Sequence, residues 1–496
     1  MQRTPHRTDR NRLRYSGGAL AHSLSATAWR ESLEMHRADP TIAVAVRVGV
    51  ATLIALVGGG LLGHQEVAGF AALGALSSAF LRYEPFPRLA TKLACVGVGL
   101  VAFAAFGATL GAVGLTMWLQ ILLLSVAAGV SFWLLTAFRI TGPGPVILIF
   151  AAAGAAGFAE NAADVGLAAS AAAVGSVIGW IVAMLPALSH PHSPARIAVA
   201  RALASVAALE SPGAADVETA RQHIARAREV IALGGDPRMR SHSHELLALL
   251  DAAEKVVDGG SHDTAAARRA DFHRFEVELR KVRRDIDIPR SGASVHAIPS
   301  VRGVDRFFGF FGEGVRRLGD GVIVIGVARV VVASLVAGWI AAALGMAHPL
   351  WATMGAMAAL QGANYRQTVQ RAIQRLMGNA LGAVLAVVLL VLDLGYWPLV
   401  VVIVVLQTVT EMVVTRNYAL ASVFVTAMAL MLTGLGTGLG ADVALSRVLD
   451  TLVGVVVGVI VAALTLQRGD RAHLTEVTRE LPRNSRECAT ECVRVS

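Results

Sequence analysis

The sequence predicts an all-α polytopic membrane protein, built from two parallel six-helix transmembrane repeats separated by a cytoplasmic helical domain. Three observations lead there. Of the 496 residues, 55% are hydrophobic and only 16% are charged, whereas a soluble chain carries about 25% charged residues. The apolar stretches gather in two blocks, 41–188 and 321–467, with a charged segment at 189–320 between them. The two blocks also resemble each other residue by residue. The 49 glycines and 6% aromatics suit helices that pack closely in lipid, where small residues let backbones approach.

Taken in order, residues 1–40 are arginine-rich and polar and lack the apolar core and small-residue cleavage site of a signal peptide. They read as a cytoplasmic N-terminal arm. A helix needs about 20 mainly apolar residues to cross ~30 Å of hydrocarbon. On that basis the first block holds spans near 41–63, 65–81, 89–112, 113–136, 144–160 and 164–187, and the second holds spans near 321–345, 347–362, 373–393, 396–415, 418–436 and 441–466. The spans at 65–81, 144–160 and 347–362 are the shortest.

Basic connections mark the cytoplasmic side. Arg82 to Arg88, the turn at Arg139, the run Tyr365, Arg366, Arg371, Arg375, and Arg416 all fall there if the N-terminus is inside. His64 to Glu66, Glu160 to Asp164 and Gly440 to Asp442 carry no Lys or Arg and fall outside. Both termini are then cytoplasmic.

Segment 189–320 reads as a helical bundle, with apolar residues at helical spacing near 195–209, 217–233, 243–257 and 265–288. Its last piece places Val304, Phe307, Phe308, Phe311, Val315 and Leu318 on one helical face, ringed by Arg302, Arg306, Arg316 and Arg317. That pattern fits either a helix lying on the membrane surface or a helix facing the bundle core. Residues 468–496 form a polar cytoplasmic tail.

The internal repeat is explicit. Arg47 to Ala55 aligns with Arg329 to Ala337, and Leu62-Gly63 with Leu344-Gly345; after a one-residue shift, Arg88, Lys92, Leu93 and Gly99 meet Arg371, Arg375, Leu376 and Gly382. At the far end Ala163-Asp164-Val165 meets Ala441-Asp442-Val443, and Gly175 with Gly179 meets Gly454 with Gly458. Six spans per copy give both copies one orientation, related by an axis along the membrane normal, with a pathway expected at their interface. The paired glycines are expected to seat helices against neighbours.

Charges inside spans cost about 2.5 to 3.5 kcal/mol each, so they snorkel, pair or act. Arg47 and Arg329 sit at equivalent places in the first helix of each repeat, where they either reach headgroups or form a cationic ring at a pathway mouth. Arg447 and Asp450 lie three residues apart in the last span, either neutralising each other or supplying a cation for an organic anion together with a proton-carrying acid. Glu411, with Gln407, Thr408 and Thr410 nearby, is a second proton-carrier candidate or a partner for Arg416. Asp393 is placed in an extracellular turn and Trp397 in an interfacial aromatic belt.

The net charge of +9 comes with only three lysines, Lys92, Lys255 and Lys281, and with no lysine-rich block, so no nucleic-acid partner is predicted. Cys95, Cys488 and Cys492 make no disulfide framework or metal-ligand set. No GxxxxGK[ST], HExxH or GxSxG pattern occurs, and the His190/His192 and His242/His244 pairs lie in polar segments. We therefore predict no enzyme, no cofactor and no metal site.

In the second block, His348-Pro349-Leu350-Trp351, then Gln361, Arg371-Ala372-Ile373-Gln374-Arg375 and Gly378-Asn379-Ala380-Leu381-Gly382, resembles the fusaric-acid-resistance (FUSC) or aromatic-acid exporter family. Asn379 stands where that family has threonine. The first block carries the pattern only in degenerate form, with His64 but no Pro-x-Trp and with Lys92 for the second arginine. The resemblance implies an inner-membrane exporter of aromatic or other organic acid anions that uses the proton gradient. It also implies similarity of the six-helix unit to plant aluminium-activated malate transporters, hence a pseudo-dimer around one anion pathway. Arg375 would then draw anions to the pore or anchor to lipid phosphate. The alternatives are an organic-anion channel without proton coupling, or a non-transporting scaffold acting through the cytoplasmic domain. The partners implied are the lipid bilayer and small organic anions, with a homo-oligomer or an accessory envelope protein left open.

Overall fold

The computed structural model describes residues 25–35, 42–80, 84–209, 214–234, 240–258, 262–281, 303–362, 365–437 and 442–465. Most of the N-terminal arm, the tail at 468–496 with Cys488 and Cys492, the loop residues Arg82 and Tyr83, Arg302, the Gly440-Ala441 turn, and the side chains of Val304, Arg306, Phe307, Phe308 and Asp442 lie outside the described residues.

Every regular element among the described residues is a helix. α1 (Ala26–Leu33) is followed by the first block, α2 (Ile42–Leu61), α3 (Ala68–Ala75), α4 (Phe86–Ala112), α5 (Met117–Ala137), α6 (Val146–Phe158) and α7 (Ala162–Ser189). The helical domain holds α8 (Ser193–Ala207), α9 (Ala214–Gly234), α10 (Arg240–Val257) and α11 (His262–Leu279), with α12 (Gly303–Leu318) leading to the second block. That block comprises α13 (Gly321–Ala343), α14 (Pro349–Ala359), α15 (Tyr365–Val391), α16 (Tyr396–Val413), α17 (Tyr418–Thr437) and α18 (Asp442–Leu464).

Nine of these helices are long and apolar enough to cross a membrane among the described residues, so three of the twelve expected spans need correction: α3, α6 and α14 are not single helices of membrane-crossing length. α3, α6 and α14 have 8, 13 and 11 residues, which at 1.5 Å per residue reach only about 12, 20 and 16 Å. They lie in the segments with the shortest predicted spans, and they are short because they are interior: Phe70 to Ala75, Leu148 to Ala153 and Ala352 to Ala359 are buried. Hydropathy counts such core residues as if they faced lipid. Leu76 to Phe80, which follow α3, and Leu360, which follows α14, are buried as well, the condition under which non-helical backbone survives at membrane depth. The long helices instead expose apolar rows such as Val46, Val50, Leu53 and Ile54 on α2 and Val384, Val388 and Val391 on α15, as lipid-facing surfaces do.

Local chemistry sets the helix ends. Asn161 accepts from the amides of Ala163 and Asp164, and the Asp164 carboxylate accepts from the amides of Glu160 and Asn161, a reciprocal cap that starts α7. Asp320 caps α13 by accepting from the Val322 amide at 3.0 Å. Leu62-Gly63 and Leu344-Gly345, aligned in the repeat, both end their helices on a glycine in the left-handed region, with φ of +77° and +69°.

The same helix pairs touch in both blocks. α4 packs on α6 and α7 as α15 packs on α17 and α18; α3 packs on α2 and α7 as α14 packs on α13 and α18. Across the blocks, α2 meets α16 and α5 meets α13. At these two seams the small residue and its bulky partner swap sides. A Cβ on Gly49 would come 2.3 Å from Thr408 Oγ1, and one on Gly129 would come 2.3 Å from Val331 Cγ2, where Val331 is the residue aligned with Gly49.

The paired glycines lie at close backbone approaches. A Cβ on Gly175 would sit 1.8 Å from the Ala71 carbonyl oxygen, one on Gly179 2.7 Å from that of Ala75, one on Gly454 2.4 Å from that of Ala352 and one on Gly458 3.1 Å from that of Ala356. These contacts seat α7 on α3 and α18 on α14. We predict that Gly175→Leu costs about 3 kcal/mol or more, because the obstacle is backbone and cannot rotate away. Size-exclusion chromatography in detergent should show loss of the monodisperse peak.

The helical domain has its own core, including Leu203, Ile224, Leu250 and Phe272. α12 packs on α4, α5 and α13 rather than on that core. Phe310 and Phe311 enclose Phe138 at 5.4 and 5.9 Å between ring centroids, so the aromatic face meets the membrane block. Part of the N-terminal arm is also docked: α1 lies against α15, with Gln374 Nε2 donating to the Ser32 carbonyl at 2.8 Å and Asn417 Nδ2 to that of Leu33 at 3.0 Å.

Candidate functional site

A cavity of about 860 Å³ opens between the blocks. Its walls come from α3 and α6 on one side and α14, α15, α16, α17, α18 and the α16–α17 turn on the other, and α8 and α9 of the helical domain roof it. Six arginines line it, namely Arg201, Arg226, Arg371, Arg375, Arg416 and Arg447, against two glutamates, Glu84 and Glu411. Apolar side chains including Leu73, Ile147, Phe150, Met354, Val425 and Met428 make the rest of the wall.

The deepest cation is Arg447 on α18. It is buried, its Cζ lies 3.0 Å from the centre of the Trp351 ring, and its Nε and Nη2 have no hydrogen-bond partner. Trp351 in turn packs on Phe150 of the first block, centroids 5.4 Å apart. Position comes from the motif itself: Pro349 occupies the first turn of α14 after His348, which aims Trp351 inward beneath α18.

Nearer the roof, Arg371 and Arg375 stand one turn apart on α15. Arg371 Nη1 reaches Gln361 Oε1 at 3.4 Å and its guanidinium lies 5.6 Å from the Tyr418 ring; Arg375 Nη1 reaches Tyr418 Oη at 3.4 Å. Among the described residues no carboxylate comes within ion-pair distance of Arg371, Arg375, Arg416 or Arg447. A unit charge 4 Å away interacts with about 4 kcal/mol at an effective dielectric near 20, so this group of cations makes the cavity electropositive.

Gly378 and Gly382 carry α15 close against α17, where Cβ atoms would come 2.8 Å from the Ala419 carbonyl oxygen and 2.5 Å from that of Val423. Between them Asn379, at the bottom of the cavity, donates to Thr451 Oγ1 and accepts from Thr426 Oγ1 at 2.6 Å. One amide thus ties α15, α17 and α18 together.

The structure sorts the sequence candidates. Arg447 and Glu411 line the cavity, with Arg371, Arg375 and Trp351 of the motif; Arg47 and Arg329 are half-buried and do not line it. Arg447 and Asp450 form no ion pair: Asp450 is fully buried, neither of its carboxylate oxygens has a hydrogen-bond partner, and it does not line the cavity. Mutual neutralisation by contact is therefore corrected. Glu411 accepts from Gln407 Nε2 at 3.1 Å and makes no ion pair with exposed Arg416. Asp393 lies in the α15–α16 turn with a φ of +43°, and exposed Trp397 packs edge-on against Tyr396.

Sequence reasoning missed the polar stripe Gln367, Gln370 and Gln374, which line the cavity one turn apart on α15, although that spacing was readable. It also missed the roof latch. Glu229 on α9 accepts from Arg88 at 2.7 Å and pairs with Arg226 at 2.6 Å, while Arg226 Nη2 reaches Glu84 at 3.0 Å. Burial alone would raise the Glu229 carboxyl, but hydrogen bonds and charge from Arg226 and Arg88 outweigh it and hold the group below its ordinary value. The latch is therefore fully present above the usual glutamate range and is lost as pH falls through the lowered value. Limited proteolysis of vesicles should show the helical domain protected at neutral pH and cut faster below pH ~4.

These features define a multi-pass, all-helical membrane protein with a basic cavity between two helical blocks. Residues 335–461, within the second block, match the family described as fusaric acid resistance protein-like, and the resemblance carried by His348 to Gly382 is borne out. An uncharacterized membrane protein of Bacillus subtilis (strain 168), YvaC, is 24% identical over 429 residues, covering 78% of this chain and 67% of its own. No solved structure matches.

Proposed function

We propose that the protein is a transporter of organic acid anions in the inner (plasma) membrane, exporting them from the cytoplasm in exchange for protons. The observation that carries this is the cavity in which Arg371, Arg375, Arg416 and Arg447 face apolar walls with no carboxylate partner among the described residues. An anionic head would be held by the arginines and an aromatic or aliphatic body by Phe150, Met354 and Val425. The basic connections gather where the helical domain sits: Arg88 and Arg139 pair with its Glu229 and with Glu313 of α12, and Arg371, Arg375 and Arg416 share a cavity with its Arg201 and Arg226. The positive-inside rule makes that face cytoplasmic, with both termini there.

The matched helix pairs and the swapped glycine contacts support reading the blocks as two parallel copies about an axis along the membrane normal. Asp450 and Glu411 are the acids available for proton exchange; a channel without proton coupling is the second reading, favoured if neither acid matters. The reading is tested by a deletion strain challenged with a panel of weak aromatic and aliphatic acids. Increased sensitivity to at least one acid, restored by the intact gene, is the expected result, and sensitivity to none would overturn export.

A further inference from the structure

The repeat gives the Arg371/Arg375 pair a counterpart in the first block, and its fate is different. The register that sets Arg88 and Lys92 against Arg371 and Arg375 sets Glu84 against Gln367. Lys92 is 2% exposed, and its Nζ donates to Glu84 Oε1 at 2.9 Å and to the Arg139 carbonyl at 3.2 Å. The same carboxylate receives Arg88 Nε at 3.4 Å and, from the roof, Arg226 Nη2 at 3.0 Å. Three cations from α4 and α9 thus converge on one carboxylate, which itself borders the cavity. In the second block the two cations one turn apart on the matching helix have only neutral partners among the described residues.

We infer that the first block holds a second carboxylate-binding site, permanently filled by the chain's own Glu84. This deepens the proposed function and rests on reading the blocks as copies. The filled site is closed to substrate, and because Arg226 belongs to the helical domain, filling it bolts that domain to the first block. The second block, with glutamine at the matching position, keeps its site open, so each chain handles one anion at a time.

The test vacates the site and offers a free carboxylate. Full-length protein in membrane vesicles is labelled with an amine-reactive ester, and the three lysines are read separately by mass spectrometry, exposed Lys255 and Lys281 serving as internal references. In the wild type Lys92 should stay unlabelled, with sodium acetate and sodium chloride of equal ionic strength acting alike. In Glu84→Ala Lys92 should become labelled, and acetate should protect it saturably, at about one tenth the concentration at which chloride does. Glu84→Gln fills the space without the charge and should show weaker acetate protection. In detergent, acetate should also restore the lost Tm of Glu84→Ala but not that of Glu84→Ala/Lys92→Met. Equal protection by acetate and chloride in Glu84→Ala would overturn the inference. So would a Lys92 that stays unlabelled in that variant. Because these measurements read only the first block, they can fail while anion flux through the second persists, and the reverse.

Discussion

Arg447→Met should abolish anion transport while leaving the protein at least as stable as the wild type. Flux of a responsive acid in inverted vesicles is expected to fall by about 10- to 100-fold, the equivalent of losing a charge-assisted contact of about 1.5–3 kcal/mol. Stability should move the other way. Arg447 is buried with two unpartnered nitrogens and no ion-pair partner among the described residues, so it is held in place at a desolvation cost that an apolar side chain of similar volume does not carry. A structural arginine would show the reverse pattern, with Tm lost and residual flux per folded molecule unchanged. Arg47→Gln and Arg329→Gln supply the contrast, since neither side chain lines the cavity; full loss of flux in either would move the pathway away from α18.

Why some of this was legible in the sequence and some was not has a physical explanation. The two apolar blocks, the charged bundle between them and the paired glycines could be read directly, because lipid and close backbone approach each demand a residue type at a spacing. Length failed at α3, α6 and α14, since an interior segment is as apolar as a lipid-facing one but need not be one regular helix of full membrane depth. Arg447, Glu411, Arg371 and Arg375 stood out because a charge in an apolar segment calls for a reason. The Arg447–Asp450 relation did not follow from spacing: three residues advance a helix by about 300°, so the two side chains diverge by roughly a sixth of a turn. That is enough for one to face the cavity and the other to be packed inside the block. The Glu84–Lys92 pair was hidden because its members belong to different local structures, Glu84 in the segment before α4 and Lys92 within it. Asn379 read as a small substitution in a motif, whereas its amide joins three helices that are far apart in sequence.

Asp450→Asn separates an exchanger from a channel. Asp450 is fully buried in α18, one turn from Arg447, with no hydrogen-bond partner on either carboxylate oxygen. A bare charge in such surroundings costs several kcal/mol, so an acid kept there is either a packing liability or a carrier whose charge changes during the cycle. Asparagine has nearly the same shape and cannot change charge. If Asp450 carries the coupling proton, inverted vesicles containing Asp450→Asn will no longer accumulate the acid when a pH gradient is imposed. They will still exchange labelled for unlabelled acid at equal concentrations, because the arginines that hold the anion are intact. Accumulation that survives the substitution would remove Asp450 from the mechanism and pass the role to Glu411, whose Glu411→Gln variant should then show the same split. If both variants accumulate the acid as well as the wild type, coupling does not run through either acid. A passive anion conductance, dissipated by the membrane potential and indifferent to the pH gradient, then becomes the description to test.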